Sequence, residues 1–217
     1  MLGQEGQICP QEEKIKSVQN APRPKTKKQV KSFLGLTGFY RKFVPNFSAI
    51  AVPLSDLTKK GQPNNIRWEE SQEKAFTTLK EALVKKPILR LPDLERQFVI
   101  RTDASDVGLG AVLLQYYDET PFPIIYASRQ LSAAEQKYAV IEKECLAVVW
   151  GISKFYRYLF GREFILETDH QPLAYMSKAK VANSRIMRWA LSLQPFRMTI
   201  RAIKGCDNIG ADYLSRQ

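Results

Sequence analysis

Histidine occurs once in the 217 residues, as His170, and cysteine only three times, as Cys9, Cys145 and Cys206. The cysteines are odd in number, widely spaced and outside any CxxC or Cys/His grouping. That excludes a disulfide framework and a zinc site, and leaves thiols that serve as packing groups. Long apolar runs are also missing. None reaches the roughly 18 to 20 residues of a membrane-spanning helix, and the first 20 residues lack the basic start and apolar stretch of a secretory signal. No membrane partner is expected, and an intracellular location is.

Basic charge is plentiful. Lys and Arg number 33 against 22 Asp and Glu, a net charge of +11. The excess sits towards the N-terminus, with 18 basic and 10 acidic residues up to Arg96, and 15 against 12 beyond it. Such a balance favours a polyanion, nucleic acid above all, although a solvated basic surface has the same composition.

Residues 1–20 show little apolar periodicity and read as the edge of something larger. Two prolines and a T-x-x-Q capping box, Thr26 to Gln29, then predict a helix start. Val30, Phe33, Leu34, Thr37, Tyr40 and Phe43 follow at helical spacing, loosened at Gly35 and Gly38, with Lys27, Lys28, Lys31, Arg41 and Lys42 on the other face. That face suits a nucleic-acid backbone, or simply solvent. A second helix is predicted from Ser71 to its stop at Pro87, so the N-terminal third is expected to be small and all-helical.

Beyond ILRLPDLERQ the period changes. Phe98 to Thr102, Gly108 to Gln115 and Phe122 to Ser128 predict an antiparallel meander. A long helix follows, opened by an S-x-x-E box at Ser132 and Glu135 and closed near Gly161. A strand Phe164 to Thr168, a helix around Ile186 to Leu193, a strand Met198 to Ile203 and a short helix Ile209 to Arg216 complete the order. This predicts an α/β fold, a mixed sheet with flanking helices, preceded by the small helical module.

Two strands end in Thr-Asp, placing Asp103 and Asp169 where neighbouring strands would bring two carboxylates together. Either one alone reads as an Asp that opens a turn. The long helix adds a third acid. Its apolar stripe is Ile141, Cys145, Val148, Ile152, Phe155 and Leu159, and Glu144 lies about 60° from the stripe centre where Glu142 lies about 100° away. A lone carboxylate buried there costs several kcal/mol unless it is paired or holds a metal. Asp212, in NIGADYLSRQ, is a fourth candidate and means little by itself.

TDAS around Asp103, YAVIEKECLAVVWGISKFYRYLFGREF around Glu144, TDHQPL around Asp169 and NIGADYLSR around Asp212 resemble the ribonuclease H domain of gypsy-type LTR retrotransposon polyproteins. KTKKQVKSFLGLTGFYRKFVPNFSAIAVPLSDLTKKG is similar to the thumb or connection region that precedes it, and LGQEGQICPQEEKI to the tail of the polymerase palm. The resemblance divides the chain into 1–20, a palm remnant; 21–96, a helical thumb- or connection-like module; and 97–217, a ribonuclease H-like domain. It implies a ribonuclease H fold with the catalytic, metal-holding quartet Asp103, Glu144, Asp169 and Asp212. ECLA matches the family pattern at the glutamate, and the helical wheel selects the same residue.

Four carboxylates make an all-oxygen site, suited to two Mg²⁺ ions with Mn²⁺ as a substitute. The implied substrate is the RNA strand of an RNA/DNA hybrid, with Ser128, Arg129, His170, Gln171 and Arg185 as candidate contacts; caps, surface hydrogen bonds or solvated side chains account for these equally well. The remaining polymerase domains of a polyprotein are implied partners, and the cytoplasm, a virus-like particle or the nucleus the implied setting. The loop AIKGCDNIGAD lacks the histidine that related enzymes carry there, and His170 is a candidate substitute. The Asp-Asp pair of a polymerase site is absent from the sequence, as are a D-[ST]-G protease motif and an integrase zinc motif. Two other readings stay open: a catalytically idle binding or connector module, and an integrase-like core, against which the mid-domain position of the ECLA helix counts.

Overall fold

The computed structural model describes residues 7–85, 89–168 and 183–203. Within these, a helical module precedes a five-stranded mixed sheet, and the two pack against each other.

In the module, α1 (Glu12–Gln19), α2 (Lys27–Phe39), α3 (Phe47–Ile50), α4 (Val52–Asp56) and α5 (Glu70–Val84) surround one apolar core. Val18, Val30, Phe33, Phe43, Leu54, Phe76, Leu79 and Leu83 form it. The Thr26 box is made as predicted: the Thr26 hydroxyl accepts the Gln29 N–H, and the Gln29 side chain accepts the Thr26 N–H. The helix ends at Phe39, and Arg41–Phe43 continue as a 3-10 turn, so the apolar stripe reaches further than the α-helix that begins it. A short ribbon of β1 (Gln7–Ile8) and β2 (Leu89–Arg90) closes the module, so the N-terminal third is not all-helical as the sequence suggested. From the stretch 1–20, α1 and β1 pack with the helices that follow.

The sheet comprises β3 (Phe98–Ala104), β4 (Gly108–Tyr117), β5 (Thr120–Gln130), β6 (Glu163–Thr168) and β7 (Arg197–Ala202), in the order β5-β4-β3-β6-β7. The β3–β4–β5 meander is antiparallel, and β3, β6 and β7 run parallel. All three meander strands outrun their sequence-predicted ends. β5 continues through Pro121 and Pro123 because it is an edge strand, where a missing N–H breaks no ladder. The β4–β5 hairpin turns at Asp118 and Glu119, both at positive φ (47° and 63°), the two-residue geometry that matches strand twist. β3 carries Asp103 inside the ladder, opposite Gly110, where the sequence placed it just beyond the strand.

Helix α6 (Val140–Lys154), followed by α7 (Tyr156–Leu159), crosses one face of the sheet, and α8 (Ser184–Leu193) packs beside it. The Ser132–Glu135 box forms, but it opens only a 3-10 turn over Glu135–Lys137. Tyr138 is extended (φ −68°, ψ 148°), and the α-helix begins at Val140. Gly151 marks the closest approach to the sheet. A Cβ there would lie 3.0 Å from Thr102 Cγ2 and 3.2 Å from Ile100 Cδ1. The helix runs antiparallel to β3, since the Tyr158 and Phe98 rings meet (5.7 Å between centroids) at the start of β3 and Lys143 pairs with Asp106 (2.8 Å) beyond its end.

Candidate active site

Side chains alternate along β3, so Phe98 and Ile100 enter the core beneath α6 while Val99, Arg101 and Asp103 share the opposite face. That face grades along the strand. Val99, Leu114 and Ile165 make an apolar patch at the start of β3. Next comes a buried polar network in which Arg101 Nε donates to Glu167 Oε2 (2.6 Å) and Arg101 Nη2 to the Tyr116 hydroxyl (2.8 Å). The Tyr116 hydroxyl donates in turn to Glu167 Oε1 (3.0 Å), and Arg201 reaches the same oxygen from β7 (3.2 Å). Burial is the main cause that pushes the Tyr116 phenol up; Arg101 opposes it and Glu167 adds to it. Two residues further on lies Asp103, 7% exposed.

Glu144 approaches the same end of the sheet from α6. It is buried at 4% exposure and lies two turns before Gly151 on one face of the helix, at the end that Lys143 ties to Asp106. Its neighbour Cys145 is fully buried, and that burial, with the charges of Glu144 and Glu142 adding to it, pushes the thiol up to about 12. Cys145 is therefore no nucleophile at neutral pH. Strand β6, parallel to β3, also ends here, at buried Thr168.

Glu142 has a different task. Its carboxylate accepts the Ala139 N–H (3.0 Å), capping α6, and also Asn183 Nδ2 (2.9 Å) and Arg185 Nη1 (2.7 Å). Asn183 first, then the Ala139 N–H and Arg185, hold this carboxyl below the usual range against partial burial. Glu142 thus fastens α8 to α6.

Two of the predicted quartet, Asp103 and Glu144, come to one end of the sheet. Asp169 and Asp212 lie outside the described residues, as do His170, Gln171 and the short helix predicted at Ile209 to Arg216. No group of three His, Cys, Asp or Glu residues gathers among the described residues.

The candidate substrate contacts that are described have internal partners. Ser128 Oγ accepts the Ser48 N–H (2.9 Å), and the Ser128 carbonyl accepts from Ser48 Oγ and Arg41, docking the module onto β5. Arg185 stacks on Tyr138 (3.9 Å) besides pairing with Glu142. Together with Glu135, Tyr138, Leu146, Arg188 and Trp189, it lines a surface cleft of about 380 Å³. Arg129 grips both oxygens of Glu135 (2.8 and 2.9 Å).

Hydrogen bonding from Arg129, opposed by burial and reinforced by Ser132, holds the Glu135 carboxyl down at about 2. A folded-state value below the ordinary 4.5 means the pair's stabilisation is complete above 4.5 and is lost as pH falls through about 2. Arg129→Gln is expected to return the Glu135 carboxyl towards 4.5, read as its side-chain carbonyl shift in an NMR pH titration.

Sequence reasoning missed three features: the Arg101–Glu167 pair, the buried Lys143, and Asn46 against Gly110. A charged residue inside each of two apolar strands was the only signal for the first. Nothing local announced the others.

The profile of the RNase H-like domain found in reverse transcriptase matches residues 93–196. The chain is 43% identical over 209 residues to the retrovirus-related Pol polyprotein from transposon 297 of Drosophila melanogaster, covering 96% of this chain and 19% of that protein. It is 38% identical over 217 residues to the Pol polyprotein from transposon gypsy of the same organism, covering 94% and 20%. It therefore spans about a fifth of the length of these relatives. Among solved structures, it is similar to the foamy viral protease-reverse transcriptase in complex with RNA/DNA hybrid, with a TM-score of 0.70, 28% identity, and coverage of 89% of this chain and 27% of that one. The same enzyme in complex with dsDNA gives 0.74, 27%, 89% and 41%. No helix among the described residues is long and apolar enough to cross a membrane.

Proposed function

We propose, because residues 93–196 match the RNase H-like domain found in reverse transcriptase, that the chain hydrolyses the RNA strand of RNA/DNA hybrids as part of an LTR-retrotransposon reverse transcriptase. One observation carries the reading: two buried acids, Asp103 on β3 and Glu144 on α6, come from separate elements to one end of the sheet. Burying carboxylates in this way is costly, and a divalent cation offsets the cost. Strand β6 ends at the same place, and Asp169 is the next residue in the sequence.

The donors fit a hard cation. They are carboxylate oxygens with no described His or Cys ligand, and the one described thiol nearby, Cys145, stays protonated. Asp103, Glu144, Asp169 and Asp212 would hold two Mg²⁺ ions, or Mn²⁺ in their place. Bound metal would supply an acidified water and stabilise charge on the scissile phosphate. The chain's own residues fix the carboxylates: the β3–β4 ladder holds Asp103, and α6 packing holds Glu144. The net charge of +11 favours the polyanionic substrate. The remaining polymerase domains of the polyprotein would be partners in holding it.

The test is cleavage of a labelled RNA/DNA hybrid in Mg²⁺ and in Mn²⁺, with all-DNA and all-RNA duplexes as controls. Cleavage confined to the RNA strand of the hybrid supports the proposal. Hybrid binding without cleavage in either metal would instead leave a binding or connector module.

A further inference from the structure

The helical module reaches the proposed nuclease site, and we infer that its Asn46 is a positioning residue for Asp103; this rests on the reading of Asp103 as a metal-holding acid. Asn46 sits ahead of α3 in the left-handed conformation (φ 47°, ψ 30°), and it is a buried polar residue, 9% exposed. A Cβ built on Gly110 would lie 2.1 Å from Asn46 Oδ1 and 3.6 Å from its Nδ2. The carboxamide therefore lies directly against the Gly110 backbone, in space that any side chain at 110 would fill.

Gly110 is the residue of β4 opposite Asp103, and on its other side it faces Ser128 of β5. Directly opposed residues project to one face of a sheet, with Cβ atoms about 4.5 to 5.5 Å apart. Ser128 identifies the face, because its Oγ accepts the Ser48 N–H from α3. The Asn46 carboxamide thus lies over the Ser128–Gly110–Asp103 row, on the side to which Asp103 projects.

The chemistry of the position selects asparagine. Left-handed backbone is readily taken only by Gly, Asn and Asp. Glycine brings no donor, and aspartate would add a like charge beside Asp103. Asparagine brings two N–H donors without charge, so it can orient a carboxylate and leave its negative charge available to a cation. Gly110 is then a requirement of the site, because a side chain there would evict the carboxamide.

The test uses the full chain with Asn46→Gly, which keeps the backbone conformation and removes the carboxamide. Ser48→Ala controls for loosened docking of α3. Mn²⁺ affinity is measured by titration calorimetry without nucleic acid, alongside kcat and KM for hybrid cleavage. Asn46→Gly is expected to weaken Mn²⁺ binding and lower kcat, each by about 10-fold or more, with KM unchanged. Ser48→Ala is expected to leave both intact. Wild-type values in Asn46→Gly, or equal losses in Ser48→Ala, would overturn the inference while hybrid cleavage by the wild type stands. If the wild type binds Mn²⁺ but cleaves no hybrid, the proposed function fails and the two Mn²⁺ affinities alone decide the role of Asn46. A wild type that does neither overturns both.

Discussion

Asp103→Asn is expected to lower RNA-strand cleavage by on the order of 10³-fold or more while leaving the chain folded. The substitution is close to isosteric, and Asp103 holds its place in β3 through backbone pairing with Gly110, which the amide preserves. What disappears is the negative charge. In metal-free buffer that loss should help on the proposed reading: carboxylates that converge to hold a cation would disfavour one another's ionised form, so the mutant should melt higher than the wild type. Added Mg²⁺ should reverse the order, because a ligand bound only by the folded state stabilises by RT ln(1 + [L]/Kd) and the mutant has lost part of its affinity. The measurement is a pair of melting curves for each protein, with EDTA and with Mg²⁺, beside the cleavage assay. Cleavage by the mutant at the wild-type rate would remove Asp103 from the site. Glu144→Gln should behave alike. Glu142→Gln should not, because it removes the charge that strengthens the tie between α6 and α8 and with it some stability, while cleavage survives below the melting temperature.

The contrast between Glu142 and Glu144 was legible in the sequence. The apolar stripe of α6 is long and the helix packs on a single sheet, so a wheel ranks the two acids by angle. Burial of Glu144 and the capping of α6 by Glu142 agree with that ranking. Capping boxes were legible only as local chemistry. Thr26–Gln29 and Ser132–Glu135 make the same hydrogen bonds, yet the second leads to a 3-10 turn, because Arg129 takes up the Glu135 carboxylate and the backbone extends at Tyr138 before α6 begins. Strand ends were read short at Asp103 and at Pro121, since edge position and ladder partners are properties of the sheet. The contacts around Asp103 were the least legible. Asn46 meets Gly110, and Arg101 meets Glu167, across more than 60 residues of chain. No periodicity encodes such a pairing. The placement of Asp169 and Asp212 rests on family resemblance, since both lie outside the described residues.

Glu167→Ala is expected to destabilise the fold by about 3–5 kcal/mol, a large share of the roughly 5 to 15 kcal/mol that holds a typical domain together. The Glu167 side chain is 1% exposed and accepts from Arg101, Tyr116 and Arg201; the Arg101 side chain is 10% exposed. Removing the carboxylate takes from a buried guanidinium the charge-assisted hydrogen bond that Glu167 supplies, and the desolvation cost of that cation is what the mutant bears. Arg101→Met added to Glu167→Ala should recover much of the loss, because the cation leaves with the carboxylate. Urea titrations of the single and double mutants check this, and a double mutant no more stable than Glu167→Ala would mean that packing, not charge, sets the cost. The pair also bears on the proposed site, for Arg101 lies two residues before Asp103 and bridges β3 to β6, the strand that runs out at Thr168. If the pair serves only the fold, Glu167→Ala should cleave at nearly the wild-type rate wherever it is folded. A fall in kcat well below the melting temperature would instead mean that the buried pair sets the spacing of β3 and β6, and through it the geometry of the acids at their ends.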